Sequence, residues 1–336
     1  VRRNLFLTAA GAFTVFPRAA RATGGLDVEA PESTARMRVL LASGSFAPPQ
    51  PIDAWHFAWN GRSYRGTPTT ATLADGRVGL VDELPLDTYL YGVLGKEISA
   101  SWASGAQQAQ AILSRTYALA KLRPEKSYDV VASESDQHYG GMDGESVECR
   151  AAIDATAGRI VTFGGLPAHV AYSACCGGRT ADAGDIWRTS YPYLAGVADP
   201  NCAGAPNFAW TVDVTCADAV RAFGAQMRGF GALRDVRVDA VAPGERPTAV
   251  AFVGATGTFQ ASAADVRNAL GTSVVRSTFV RSAAFDARAQ TVTFAGTGRG
   301  HGVGVCQWGA RAMGEAGASA SEILSFYMPG TSLGRA

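Results

Sequence analysis

From Met37 to Leu80, apolar and polar residues alternate in short runs, the two-residue period of strands, and two dipeptides break those runs. Asn60-Gly61 in FAWNGRSYRG and Asp75-Gly76 in LADGRVGL are turn signals between alternating segments, so hairpins are predicted at both. The period then lengthens. LPLDTYLYGVL, with Pro85 near the first turn, Asp87 in it and Gly95 as a stop, predicts a helix over Leu86 to Leu94. A second helix is expected from Ser104, read as a capping box with Gln107, to about Leu122, with Pro124 beyond it.

On a helical wheel of that second segment, Gln107, Ser114 and Lys121 form a narrow polar stripe, taken as the solvent face. Arg115 and Gln108 point away from the stripe, beside Ala111, Ala118 and Leu122. A guanidinium there needs a partner, because an unpaired charge in apolar surroundings is costly. Farther on, short strands are predicted in GRIVTF, AHVAYSA, ALRDVRVDAVAP, TAVAFVGATGTFQAS and QTVTFAG. A short helix capped by Ser262 and stopped by Gly271 follows TAVAFVGATGTFQAS, and Ser319 with Glu322 boxes the start of a last helix. The expected class is α+β: mixed short-stranded sheets with a few helices around a central cleft.

The start of the chain reads differently. In VRRNLFLTAAGAFTVFPRAARA, two arginines precede a short apolar stretch and an A-x-A-like end, which predicts an export signal of twin-arginine type over residues 1–22. A β-rich segment over residues 23–77 follows it, and the mature protein is expected in the periplasm or cell envelope. Without Arg2, Arg3, Arg18 and Arg21, the 30 basic residues become 26 against 29 acidic ones, a formal charge of −3. That balance argues against nucleic acid as a partner.

GRGHGVGVCQWGA places glycines at 298, 300, 302 and 304 around His301, then runs into Cys306 and Gln307. Val303 and Val305 stand where a dinucleotide-binding fingerprint needs its third glycine, so the run is a loop whose backbone approaches another strand or a ligand closely. His301 is a general base, a ligand or a backbone-bonded structural imidazole, the last being the default. Glu97, in GKEISASW, is placed on a link between the two helices, where Ile98 and Trp102 would disfavour its ionised form. That is the condition a general acid requires. His169, Cys175, Cys176 and Cys202 offer a weak zinc set, and a Cys176–Cys202 disulfide is the preferred alternative for an exported chain.

ELPLDTYLYGVLGKEISASW with AQAILSRTYALA, then SACCGGRTADA, ALG with RSTF, and finally GRGHGVGVCQWGARAMGEAG with EILSFYMPG, occur in an order that resembles the stage II sporulation protein D (SpoIID/LytB-type) family. The resemblance covers about residues 78 to 330 and implies a catalytic domain there. It implies a lytic transglycosylase that cuts peptidoglycan glycan strands, especially strands stripped of stem peptides, with Glu97 as the catalytic acid. It also implies that Arg115, Tyr117, His301 and Gln307 line the cleft. The family pattern usually has Lys where Gln108 stands and Ser near Cys306, so the sequence departs from it there. Some members bind zinc through Cys and His at positions matched only in part.

The chemistry suits one carboxyl group. A transglycosylase lets the substrate's own hydroxyl attack, so the same residue serves first as acid and then as base, and no cofactor is required. Two alternatives remain open: a non-enzymatic glycan-binding enhancer of a cell-wall amidase, and a zinc hydrolase.

Overall fold

The computed structural model describes residues 35–336 apart from 207, 228, 240, 242 and 243, and the side chain of 225. The expected export segment lies outside the described residues. No helix among those described is long and apolar enough to cross a membrane.

The strand Arg36–Ser43 pairs antiparallel with Val78–Pro85, which pairs antiparallel with Thr67–Thr72, and the short strand Val130–Val131 closes the other edge in parallel. Strands from both sides of residue 78 thus form one sheet. The Asn60-Gly61 hairpin is present between His56–Trp59 and Arg62–Arg65, with φ of 49° and 74° at its two central residues, the left-handed pair a tight two-residue turn needs.

Helix α1, Leu86–Glu97, starts from Pro85 and runs through Gly95 instead of stopping there. Glu97 is therefore the last residue of α1 and not part of a helix–helix link. The reason is tertiary. A Cβ on Gly95 would run into the Gly144 carbonyl oxygen, and one on Gly92 would lie 2.9 Å from the Gly141 oxygen. The two glycines, one turn apart, form a groove into which residues 139–144 settle, and the Gly140 amide donates to the Gly92 carbonyl at 2.9 Å.

Helix α2, Ser104–Ala120, has Ala103 at its N-cap with no side-chain cap. The expected Ser104 capping box is absent because the Gln107 side chain reaches back to the carbonyls of Ala100 (2.7 Å) and Trp102 (3.0 Å). Its supposed solvent stripe is also internal: Gln107 and Ser114 are buried. Ala111 and Ala118 pack into the core formed with α1 and the first sheet, while Ala106, Ala109, Ile112 and Leu113 pack into a second core containing Val161, Val303, Val305, Ile323 and Leu324. An α-helix flanked by two cores buries its polar residues too, and these must bond internally. Gln110 donates to Ser114 (3.3 Å), and the Thr116 hydroxyl accepts from the Val161 amide (2.9 Å).

Helix α3, Val147–Asp154, precedes the strand Arg159–Phe163, which pairs with Ser332–Arg335. The short helix α4, Ala183–Trp187, follows the strand Tyr172–Ser173. A third core lies between two antiparallel three-stranded sheets, one centred on Thr291–Thr297 and one on Ala249–Gly254, with α5 (Cys216–Phe223) and α6 (Ala263–Leu270) packed on them. Ser262 caps α6 and Gly271 ends it at φ 98°, as predicted. Helix α7, Gln307–Glu315, and α8, Ala320–Tyr327, complete the second core, and the Ser319–Glu322 capping box opens α8. Helices beside several short, mostly antiparallel sheets make the class α+β.

Candidate active site

A cavity of about 750 Å³ opens where the C-terminus of α1, the segment after residue 133, the Tyr172–Ser173 strand and the glycine-rich loop meet. Glu97 lies on its wall. The Gly92–Gly95 groove fixes residues 139–144 across α1, and this brings the preceding His138 amide to Glu97 Oε1 at 3.1 Å. Burial pushes the Glu97 carboxyl above its ordinary value; hydrogen bonds from His138, Gln307 and Tyr172 pull it back, and the charge of Glu134 adds to the rise. The expected wall of Ile98 and Trp102 is not what encloses it. Trp102 packs edge-on against Trp308 and belongs to a different depression, which also holds Gln108.

Two other carboxylates face the cavity. Asp136 is committed elsewhere: it pairs with Lys121 at 3.0 Å and accepts from the Tyr117 hydroxyl and the Val131 amide. Glu134 is exposed at the rim.

The loop 298–304 answers for its glycines. All four have φ between 72° and 102°. A Cβ on Gly298 would meet the Cys175 carbonyl at 2.5 Å, and one on Gly304 would strike the Ala171 carbonyl, so the loop is built to lie against the backbone of residues 171–177. Tyr172 pairs in parallel with Val305, and Cys175 bridges to Arg299. Gly300 and His301 remain on the cavity wall.

His301 Nε2 bonds the Tyr172 carbonyl at 3.0 Å while Nδ1 accepts from the Val303 amide at 3.1 Å. A carbonyl accepts only, so Nε2 carries the hydrogen and the ring is neutral. Burial lowers its pKa to about 4. Both nitrogens are occupied by backbone, which makes His301 a structural imidazole, its ring centroid 5.0 Å from that of Trp187 and tilted 48° to it.

Of the residues singled out in the sequence, Glu97, Tyr117, His301, Gln307 and His169 come together on this cavity, whereas Arg115 and Gln108 do not. Arg115 is fully buried and paired, as its wheel position requires, but away from the cavity wall. It donates from Nε to Asp87 (2.8 Å) and from its terminal nitrogens to the carbonyls of Ile153, Thr156 and Arg159. It ties α1, α2 and α3 together. Tyr172, Trp187, Arg267 and Arg299 also line the cavity and were not singled out. Only tertiary pairing gathers them.

His169 stacks on Tyr191, 4.7 Å between ring centroids, and takes no part in a cysteine cluster. The cluster itself comprises Cys176, Cys202, Cys306 and Asp199, with their ligand atoms all within 4.8 Å of one another. Cys176 and Cys202 stand 3.5 Å apart, sulfur to sulfur, and all six cysteines are free, so the anticipated disulfide is not formed in this structure.

Residues 74–163, which hold α1, Glu97 and α2, match the family model of the stage II sporulation protein SpoIID. Over 292 residues the chain is 28% identical to the amidase enhancer of Bacillus subtilis (strain 168), covering 73% of this chain and 40% of that protein's length. Over 275 residues it is 26% identical to the stage II sporulation protein D of the same organism, covering 76% of each. An uncharacterized protein of Brachyspira hyodysenteriae is 28% identical over 294 residues, 82% of this chain and 74% of that one. The matched segment is the one built around α1 and α2, so the chain is similar to the SpoIID family where Glu97 stands, and it spans less than half the length of the amidase enhancer it matches.

Proposed function

We propose that this protein remodels the bacterial cell wall outside the cytoplasm by cleaving peptidoglycan glycan strands without water, with Glu97 as acid and then base. The observation that carries this reading is the half-buried Glu97 carboxyl on the wall of a 750 Å³ cavity, its proton affinity raised by desolvation. A protonated Glu97 gives its proton to the glycosidic oxygen as the bond breaks. The resulting carboxylate then takes the proton from the 6-hydroxyl of the same muramyl residue as that oxygen closes on C1. Bonds and protons balance with no second carboxylate, in accord with Asp136 being held by Lys121.

The remaining cavity groups suit such a strand. Trp187, 40% exposed, offers an aromatic face for a sugar, with the His301 and His169 rings inclined to it at 48° and 80°. Arg267 and Arg299 add positive charge, and Arg267 Nε is buried without a hydrogen-bond partner. A strand stripped of its stem peptides carries a free carboxylate on each lactyl group, which a guanidinium binds well.

The test is the mass of the products from stripped glycan. Anhydro-muramyl ends, one water lighter than reducing ends, are expected, and Glu97→Gln should lower cleavage by roughly a hundred- to ten-thousandfold while strand binding survives. Because the acid must be protonated, cleavage should fall as pH rises through the raised Glu97 pKa. Reducing ends alone, or wild-type cleavage by Glu97→Gln, would sink the proposal. The name of the Bacillus subtilis relative favours a second reading, a strand-binding enhancer of a cell-wall amidase. Under it Glu97→Gln leaves all function intact.

A further inference from the structure

The cysteine cluster belongs neither to the cavity wall nor to the proposed chemistry, and its donors come from three distant parts of the chain. Cys176 follows the Tyr172–Ser173 strand, Asp199 and Cys202 belong to the turn around Pro200–Gly204, and Cys306 is the N-cap of α7. The four residues are each no more than 1% exposed.

The spacing discriminates between a covalent pair and a ligand shell. A disulfide holds its sulfurs about 2.05 Å apart. Zn–S bonds of about 2.3 Å at the tetrahedral angle hold two sulfurs about 3.8 Å apart. Cys176 and Cys202 are at 3.5 Å, and Cys176 Sγ lies 3.1 Å from Asp199 Oδ2. A third thiol and a carboxylate within the same 4.8 Å serve no purpose in a two-sulfur crosslink.

The surroundings are arranged for anionic ligands. Cys306 Sγ accepts from the amides of Cys176 (3.2 Å) and Gly309 (3.4 Å), the latter in the first turn of α7, where a helix favours negative charge. The Tyr327 hydroxyl donates to Asp199 Oδ2 at 3.0 Å, and the Asn201 amide to Oδ1 at 3.0 Å. Such outer bonds are what orient metal ligands. Arg246 supplies an independent sign: its guanidinium is partly buried, donates to the Cys176 and Arg179 carbonyls and to Thr278, and among the described residues has no carboxylate at ion-pair distance. A partly desolvated cation favours a nearby anion.

We propose that Cys176, Asp199, Cys202 and Cys306 form a closed tetrahedral site for structural Zn²⁺, clamping the start of α7 to the 171–177 segment and to the 199–202 turn. Three thiolates and one carboxylate suit this metal, and four protein donors leave no open position for catalysis. His169 has no place in it. The site stands or falls independently of the glycan chemistry proposed above.

The protein, purified without chelator, should carry about one zinc per chain by mass spectrometry of the metal. It should release that zinc only when the thiols are blocked with a mercurial, and show every cysteine as a free thiol once denatured with chelator. Cys149→Ser and Cys216→Ser, in other cores, should keep the metal. Tyr327→Phe should weaken zinc binding roughly 10- to 100-fold, as loss of an outer hydrogen bond does. A metal-free protein overturns the proposal whether its cysteines are all free or peptide mapping finds a Cys176–Cys202 disulfide. So does a Cys176→Ser variant that folds and keeps wild-type zinc affinity.

Discussion

Asp82 offers a quantitative test of how burial acts in this protein. It lies on the strand Val78–Pro85 with no exposed surface, between strands on either side. Oδ2 accepts from the Tyr139 hydroxyl at 2.9 Å, while Oδ1 has no partner. Burial raises its pKa from 3.8 to about 7, against the opposing hydrogen bond from Tyr139. Between those values the folded chain holds a proton that the unfolded chain has lost, so stability is fully present below the unfolded pKa and drains away as pH rises toward 7. Some three pKa units at about 1.36 kcal/mol each make the loss about 4 kcal/mol. Asp82→Asn keeps an oxygen for Tyr139 and cannot ionise. Urea unfolding of both proteins at pH 4, 6 and 8 should show the variant gaining on the wild type with each step, by about 4 kcal/mol from first to last. Glu97 and the other carboxyls are common to both proteins and cancel in the difference. A difference that stays flat across this range would refute the reasoning.

Two further substitutions probe the packing beneath the candidate site. Arg115→Ala should cost about 3–5 kcal/mol in denaturant unfolding, since it strands Asp87 and three carbonyls together, and Arg115→Lys should not restore the loss because a single ammonium cannot serve that spread of acceptors. Gly95→Ala should cost about 1–3 kcal/mol and lower cleavage, because its methyl group pushes the 139–144 segment away from α1, while Gly204→Ala, with open space around it, should be near neutral in both assays.

What the sequence made legible is what is decided locally. The Asn60-Gly61 turn, the Ser262 cap and the Ser319–Glu322 box each depend on a few adjacent residues, and each is present. Gly95 reads as a stop in the sequence because glycine both ends helices and admits close neighbours, and only the position of Gly144 decides which. Gln107 and Ser114 are internal although a wheel shows them as a polar stripe, because the wheel does not show the second core against α2. The cysteine cluster was missed in part for a similar reason. Cys306 lies far along the chain from Cys202, whereas His169 is near Cys175 in sequence yet stacks on Tyr191 in space.

The first turn of α7 connects the two centres of the molecule. Cys306 belongs to the thiol cluster, and the next residue, Gln307, reaches the cavity, where its Nε2 donates to the Glu97 main-chain oxygen at 3.4 Å and to Gln110 at 3.5 Å. That main-chain oxygen is one of the four carbonyls the end of α1 leaves without a helical partner, so Gln307 acts as a cap supplied by another helix. A carboxylate at a helix C-terminus also faces the negative end of the backbone dipoles, which favours the protonated form in the same direction as burial. Glu97 is thus held from two sides, by the glycine groove that delivers the His138 amide and by the α7 turn that delivers Gln307. Cys306, the N-cap residue just before Gln307, sets where α7 begins, so the Gln307 contact to the end of α1 depends on the helix starting there.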